Sequence, residues 1–239
     1  MVFLKKFGIG SLLLVTAVYC FVYQSMKVNL SQTAAALAAQ PVTIILDAGH
    51  GGEDGGTTSA SGLRESQINL AISSRLEQLL ALCGMEPTMI RQEDRSVSTE
   101  GDTVSQRKIS DLKNRVKTVE QFPNAILVSI HQNHFSEEKY RGAQVFYAPT
   151  HQSKELAQFT QEMLRTALDP SNQRQIKPAD TVYLMQKVQC PAILVECGFL
   201  SNPQEAALLD TVDYQKKLTC ALAGAIAQYL EKGETEVEI

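Results

Sequence analysis

The sequence predicts a single three-layer α/β domain, in which a mostly parallel sheet of about six strands has helices on both faces. Three short, mostly apolar runs at 42–46, 125–130 and 191–195 are typical of strands that are buried on both faces. Longer segments with apolar residues at helical spacing alternate with these runs, which favours parallel strands joined by helices. About 200 residues follow the first 40, enough for one domain with a full core.

Each of the three runs ends in a chemically functional residue. The first ends in the turn Asp47-Ala-Gly-His50, the second at His131 and the third at Glu196. Ligand sites of open α/β sheets lie at the carboxyl ends of the strands. We therefore expect these side chains to meet at one edge of the sheet.

The remaining segments predict the rest of the domain. Further strands are expected over 86–91, 142–148 and 181–187. The first helix opens at Leu63 and ends at Gly84, and Ile68, Ile72, Leu76, Leu79 and Cys83 form its buried stripe. Other helices are predicted over 106–121, where Ile109 is placed on the buried face, and over 153–168, 203–209 and 211–231.

Composition excludes several classes of protein. Hydrophobic residues make up 44% of the chain and charged residues 20%, as in globular proteins. The net charge of −4 provides no basic surface for nucleic acid, so no nucleic-acid partner is expected. The five cysteines are odd in number and include no CxxC pair. They therefore indicate neither a disulfide framework nor a cysteine-based zinc site.

The N-terminus predicts a membrane partner. Lys5 and Lys6 precede about 17 uncharged, mostly apolar residues, a length between that of a signal-peptide core and that of a spanning helix. Small-x-small cleavage candidates lie only at 34–39, which favours a retained anchor over a cleaved signal. The lysines predict an N-terminus inside and a domain outside the cytoplasm. The expected organisation is an anchor over 1–25, a linker over 26–40, the folded domain over 41–232 and a flexible tail over 233–239.

The residues at the sheet edge indicate zinc chemistry. His50, His131 and one carboxylate would form the His₂-carboxylate set of catalytic zinc sites, with a fourth position left for water and one Zn²⁺ per chain. Hydrolysis also needs a carboxylate outside that set, which takes the proton of the water and passes it to the leaving nitrogen. Glu65, in the first turn of the helix after the His50 loop, and Glu196 are the candidates. Spacing alone leaves open which is the ligand and which is the base.

Five short blocks carry a family resemblance. In chain order they are Asp47-Ala-Gly-His50-Gly-Gly, Leu63-Arg-Glu65-Ser-Gln-Ile-Asn-Leu, Ile90-Arg91, Ser129-Ile-His131-Gln-Asn and Val195-Glu196-Cys-Gly-Phe-Leu-Ser-Asn202. Together they resemble the zinc-dependent N-acetylmuramoyl-L-alanine amidases (amidase type 3) over 42–230. The resemblance implies that His50, Glu65 and His131 hold the zinc and that Glu196 is the catalytic base. It also implies peptidoglycan as substrate, cleaved at the amide between N-acetylmuramic acid and the L-alanine of the stem peptide.

Two further segments are similar to the sporulation branch of that family, whose members act on spore cortex to allow muramic lactam formation. They are Glu53-Asp-Gly-Gly56 and the stretch 131–147. Gly55 stands where many members have proline, which predicts a looser loop. The span 134–142 is too short for the blocking helix of the division amidases, so an open site is expected. The need for a protein activator remains open.

Several residues have competing interpretations. His134 is either an alternative ligand or a loop residue that faces solvent or substrate, and the second is favoured. Asp47 either ends its strand or orients the first histidine. Arg91 and Arg115 either bind substrate carboxylates or form surface ion pairs. Asn133 is placed with them as a candidate substrate-binding or supporting residue.

Two rival functions use the same features. A zinc peptidase that cuts within the stem peptide would have the same metal set, and its products would distinguish it. A wall-binding module without activity would keep the fold, and it would be favoured if no metal bound.

Overall fold

The computed structural model describes residue 19, residues 22–27 and residues 41–237. Most of the predicted anchor and linker therefore lies outside the described residues. Of residues 1–40, the structure describes 19 and 22–27, which are helical. Within the described ranges, no helix is long and apolar enough to cross a membrane. The chain divides into the units Met1–Pro41 and Val42–Ile239, and the second contains all the elements below.

The centre of the fold is a six-stranded sheet. Its strands are β1 (Thr43–Ala48), β2 (Glu86–Met89), β3 (Ala125–Asn133), β4 (Gln144–Tyr147), β5 (Lys177–Pro178) and β6 (Ala192–Phe199). Their order across the sheet is β2-β1-β3-β6-β4-β5. β2, β1, β3 and β6 are parallel, whereas β4 runs antiparallel to β6. The predicted fold class is confirmed.

Helices cover both faces of this sheet. They are α1 (Glu65–Leu82), α2 (Val104–Glu120), α3 (Ser153–Leu168), α4 (Tyr183–Lys187), α5 (Pro203–Leu209) and α6 (Val212–Val237). α1, α3, α5 and α6 share one apolar core with the sheet, which includes Leu46, Leu76 and Leu156. α2 and α4 share a smaller core on the opposite face, which includes Leu127 and Leu184. The central strands β1, β3 and β6 are thus buried on both sides, as the continuous apolar runs predict.

Three local predictions are wrong. The segment 181–187 forms the helix Tyr183–Lys187 and not a strand, because Leu184 and Met185 face the smaller core from one helical turn. Ile109 is 51% exposed, since this part of α2 turns Ser110 inward, where its hydroxyl accepts bonds from the backbone of the preceding loop. Cys83 is exposed at the end of α1. In addition, α6 continues to Val237, into the segment predicted as a tail.

The strand order positions the functional residues. β1, β3 and β6 are neighbours, so the ends that carry His50, His131 and Glu196 lie side by side. His131 and Glu196 are direct partners in the β3–β6 register, which places their side chains on the same face. The register shifts immediately after His131. Glu65 reaches the same edge from the first turn of α1.

Candidate active site

Three ligand-type side chains converge at the carboxyl edge of the sheet. Glu65 Oε1 lies 3.3 Å from His50 Nε2 and 3.0 Å from His131 Nδ1. The two imidazole centroids are 5.0 Å apart. One ligand-type atom from each residue lies within 4.8 Å of the other two. The structure thus brings together three residues that are far apart in sequence.

Two buried arginines fix the backbone that carries His50. Arg91 donates to the carbonyls of Ala48 (2.7 Å) and Gly49 (3.0 Å). Arg115 donates to the carbonyl of His50 (2.7 Å). Each arginine is only 2% exposed, so the predicted surface ion pair is wrong, whereas a contact with substrate stays a prediction. These contacts help to hold His50 at a φ of 62°, a left-handed conformation that is rare outside glycine.

Glycines leave the space that the ligand side chains occupy. A Cβ at Gly49 would lie 2.2 Å from His131 Nε2. At Gly56, which has a φ of 66°, a Cβ would lie 2.5 Å from Glu65 Oε2. The candidate metal ligands beside Gly49 and Gly56 therefore leave no room for a side chain at either position. The backbone conformation of Gly56 also favours glycine.

Gly55 provides space for a different contact. A Cβ there would lie 2.6 Å from Arg64 Nη2, which donates to the carbonyl of Gly52 (2.8 Å). Arg64 thus crosses the loop at Gly55, the position where many members of the resembled family have proline. The predicted loosening of the loop stays a prediction.

The imidazole of His50 is oriented by Asp54, not by Asp47. Nδ1 of His50 lies 3.0 Å from Asp54 Oδ2, which leaves Nε2 directed towards Glu65. Asp47 instead accepts a bond from Ser129 Oγ (2.6 Å) and forms an ion pair with Arg115. Of the two interpretations of Asp47, the structure therefore excludes the one in which it orients this histidine. Asp54 was not among the predicted residues, although a carboxylate four residues after a ligand histidine, in a glycine-rich turn, is a signal that could have found it.

Glu65 is held by a buried polar network that the sequence analysis also missed. The backbone N–H groups of Thr57 (2.9 Å) and Gln132 (3.1 Å) donate to its two carboxylate oxygens. Asn69 Nδ2 lies 3.4 Å from Glu65 Oε1, and Gln132 Nε2 donates to Asn69 Oδ1 (3.1 Å). Asn69 and Gln132 are buried and belong to two of the five sequence blocks. A carboxylate fixed in this way can present only a narrow range of geometries to a ligand.

Electrostatics match a site for a cation. Burial opposes charge on His50, but its hydrogen bonds to Asp54 and Glu65 prevail and raise its pKa to about 9. Burial alone would raise the pKa of Glu65, but the two histidines lower it. The site thus favours positive charge between the three residues. Two nitrogens and one carboxylate oxygen also form a donor set that suits zinc.

Glu196 lies beside this group without joining it. Together with the two histidines it lines a cavity of about 240 Å³. Its Oε2 is buried and has no hydrogen-bond partner within the described residues. Burial raises the pKa of Glu196 to about 7. A buried carboxylate that lines a cavity and has an unpartnered oxygen is suited to accept a proton from a bound molecule.

Most of the chain matches one protein family. The family model for N-acetylmuramoyl-L-alanine amidases matches residues 44–228. The chain belongs to the N-acetylmuramoyl-L-alanine amidase family. The germination-specific N-acetylmuramoyl-L-alanine amidase of Bacillus subtilis strain 168 is 37% identical over 194 residues, which cover 80% of this chain and 81% of the relative. The prediction of the family is confirmed.

Solved amidases have the same fold as this amidase. The CwlD amidase from Clostridioides difficile, solved in complex with the GerS lipoprotein, is 40% identical with a TM-score of 0.77. The match covers 80% of this chain and 98% of that one. An N-acetylmuramoyl-L-alanine amidase from Clostridium difficile 630 is 27% identical with a TM-score of 0.71, over 81% and 98% of the two chains.

Two candidate residues of the amidase lie past the site, at the end of β3. Asn133 Oδ1 accepts a bond from the backbone N–H of His134, and the carbonyl of Asn133 accepts one from Leu200. Within the described residues, neither side chain joins the three-residue group. The role of Asn133 stays a prediction. The loop 134–143 contains no helix or strand, and the open site also stays a prediction.

Proposed function

We propose that this amidase hydrolyses the amide between N-acetylmuramic acid and the L-alanine of peptidoglycan, with one zinc ion bound by His50, Glu65 and His131. The observation that carries the proposal is the convergence of their ligand-type atoms within 4.8 Å. When bound, the zinc would polarise the amide carbonyl and lower the pKa of a water molecule.

The side chains around the ligands keep this arrangement ready. Asp54 accepts the Nδ1–H of His50 and so fixes the tautomer that leaves Nε2 free for metal. Hydrogen bonds from the Asn69 side chain and the Gln132 backbone N–H hold the Glu65 carboxylate in place. The ligands therefore need little rearrangement to bind the ion, which favours both affinity and correct geometry.

Glu196 is the proposed general base. Glu196 lines the cavity shared with both ligand histidines and its Oε2 has no hydrogen-bond partner within the described residues, so its carboxylate can accept a proton from the attacking water. As the C–N bond breaks, the protonated Glu196 donates that proton to the alanine nitrogen, which leaves as an amine. The muramoyl lactyl group retains the new carboxylate, and Glu196 returns to its starting charge.

Digestion of purified peptidoglycan tests the reaction. Mass spectrometry should find free stem peptides that begin with L-alanine, together with glycan chains that have lost their peptides. Fragments cut within the stem would instead identify a peptidase. Zinc binding without any release would favour a wall-binding module.

The proposed substrate pool is the spore cortex, since one relative is germination-specific. We further propose that the enzyme acts outside the cytoplasm and that residues 1–25 anchor it to the membrane. A linker over 26–40 then leads to the catalytic domain, which spans 41–232. Spores without the enzyme should lack muramic lactam. Release of the full chain from membranes by salt alone would contradict the anchor.

A protein partner is also proposed. It is supported by the CwlD amidase, which was solved in complex with the GerS lipoprotein. A lipoprotein made in the same compartment should co-purify with this chain and change its rate of cortex digestion. Equal rates with and without that lipoprotein would contradict an activating role.

A further inference from the structure

A second cavity lies at the β4–β5 side of the sheet. Its volume is about 470 Å³, and it shares no lining residue with the cavity at Glu196. Three cationic side chains line it, contributed by Lys139, Arg141 and Arg174, together with the single acid Asp169. We call this cavity the cationic pocket.

The strand register connects the cationic pocket to the proposed base. Gln144 of β4 lies directly opposite Glu196 in the antiparallel β4–β6 pair. Directly opposed residues project from the same face of a sheet. Arg174 Nη1 donates to Gln144 Oε1 at 3.2 Å. A single residue therefore separates the guanidinium of Arg174 from the carboxylate that faces the scissile bond.

Arg174 is held in place by uncharged groups, and the Glu205 carboxylate that acts on its charge accepts hydrogen bonds from the backbone N–H groups of Gly142 and Phe199. Its Nε donates to the carbonyl of Arg141 at 2.7 Å, and its guanidinium carbon lies 4.4 Å from the centroid of the Phe199 ring. These contacts use two of its five N–H donors. No acid among the described residues forms an ion pair with it. A positioned arginine with free donors can bind a carboxylate through two parallel hydrogen bonds.

The other two cations of the pocket differ in this respect. Lys139 forms an ion pair with Glu137 at 2.5 Å, and Arg141 forms one with Asp169 at 3.0 Å. Both cations therefore already have an acidic partner within the chain. Arg174 is thus the cation of the pocket that is available to a ligand.

We propose that the cationic pocket binds a carboxylate of the peptidoglycan stem peptide, with Arg174 as its specificity-determining residue. The inference rests on the proposed function, because that reaction places the peptide at the sheet edge next to Glu196. Charge selects the peptide over the uncleaved glycan, because the lactyl carboxyl of N-acetylmuramic acid is uncharged within the amide whereas stem peptides carry free carboxylates. The free-acid peptide is therefore the ligand that the pocket distinguishes from neutral wall fragments.

Calorimetric titration of the zinc-supplied, full-length protein tests this. The probes are a synthetic stem peptide that begins with L-alanine and the same peptide with every carboxylate converted to an amide. The wild type should bind the acid form about tenfold more tightly, as expected for a charge-assisted hydrogen-bonded pair. Arg174→Gln should lose this preference. Arg174→Lys should keep part of it, since it retains the charge without the planar fork.

Arg75→Gln is the matched control, because Arg75 is also half-buried but donates to a carbonyl of its own helix. It should keep the full preference, and thermal melting should show that all variants are folded. Equal affinity for the two peptides, no measurable binding of the acid form, or an unchanged preference in Arg174→Gln would overturn the inference. If the enzyme cleaves the amide between N-acetylmuramic acid and L-alanine but does not prefer the acid peptide, the role of the pocket is rejected and the proposed function is kept. A preference without any cleavage would reject the proposed function alone.

Discussion

The centre and the β4–β5 side of the same sheet edge are built differently. At the centre, the loop of His50 is tied down by two buried arginines and Glu65 by a buried amide network. At the side, Arg174 is positioned but keeps free donors and is only half-buried. The centre therefore allows one geometry, as a metal and its reaction require. The side can adapt to ligands that differ in shape but share a charge.

The largest expected effect comes from a variant that slows the reaction at the centre and leaves the fold intact. Glu196→Gln should lower the rate of amide cleavage by about 10³-fold, because glutamine cannot accept the proton of the water. It should keep its zinc, since Glu196 lies outside the ligand group. Kinetics and elemental analysis check both. Glu120→Gln, at an exposed helix end, is the control. Normal turnover by Glu196→Gln would remove that residue from its proposed role.

Removing a buried arginine should destabilise the centre far more than removing an exposed one. Arg115→Met should lower the free energy of unfolding by about 3–5 kcal/mol, because it leaves Asp47 buried without its cation. Arg107→Met, which breaks an ion pair with the exposed Glu53, should cost about 0–1 kcal/mol. Urea unfolding at pH 7 measures both. Equal losses would contradict the distinction between a fixed centre and its surface.

The same ion pair predicts a dependence on pH. Burial alone would raise the pKa of Asp47, but Arg115 and Ser129 bring it below its ordinary value. Its stabilising contribution is therefore complete above about pH 4 and is lost as the pH falls through the lower native pKa. Wild-type unfolding free energy should fall more steeply below pH 4 than that of Arg115→Met. Parallel curves would be inconsistent with this ion pair.

Adding one methyl group should have different effects at a glycine beside a candidate metal ligand and at a glycine with open space around it. Gly49→Ala places a Cβ against the ring of His131, so zinc affinity should fall about 10–100-fold, as when ligand geometry is disturbed. Gly233→Ala, in a helix with open space around it, should leave zinc affinity unchanged and add about 0.5–1 kcal/mol of stability. Competition with a chromophoric chelator measures the affinities. Unchanged affinity in Gly49→Ala would show that the ring position does not matter.

The smallest effect concerns the orientation of one imidazole. Asp54→Asn should weaken zinc binding about tenfold, because the amide accepts the Nδ1–H of His50 less strongly than a carboxylate does. Asp94→Asn, in the neighbouring loop, is the control, since Asp94 accepts a bond from the Gly52 backbone and not from the ring. Equal weakening in both variants would assign the effect to the loop as a whole.

The sequence predicts the fold and the convergence of the site for one physical reason. Strands buried on both faces must be apolar throughout, so the point where each run meets a polar residue marks the edge of the sheet. His50, His131 and Glu196 stand at three such points. The glycines of the first turn could also be read in advance, because close approach to a ring requires them.

Other features could not be predicted because they depend on partners distant in sequence. Nothing local distinguishes a buried arginine that donates to backbone carbonyls from a surface arginine, so the sequence alone does not show that Arg91 and Arg115 are buried. The helix at 183–187 depends on contacts with α2. Whether Arg174 is free to bind a ligand depends on which acidic residues lie near it in the fold. The spacing of apolar residues along the sequence contains no information on those neighbours.

Zinc content of the purified protein tests the central claim most directly. Mass spectrometry of the metal should find about one zinc per chain in the wild type and in Glu196→Gln, and far less than one in His131→Ala, which loses a ligand of the proposed set. A zinc-free wild type after purification with zinc present, or a His131→Ala protein that retains a full equivalent, would contradict the account.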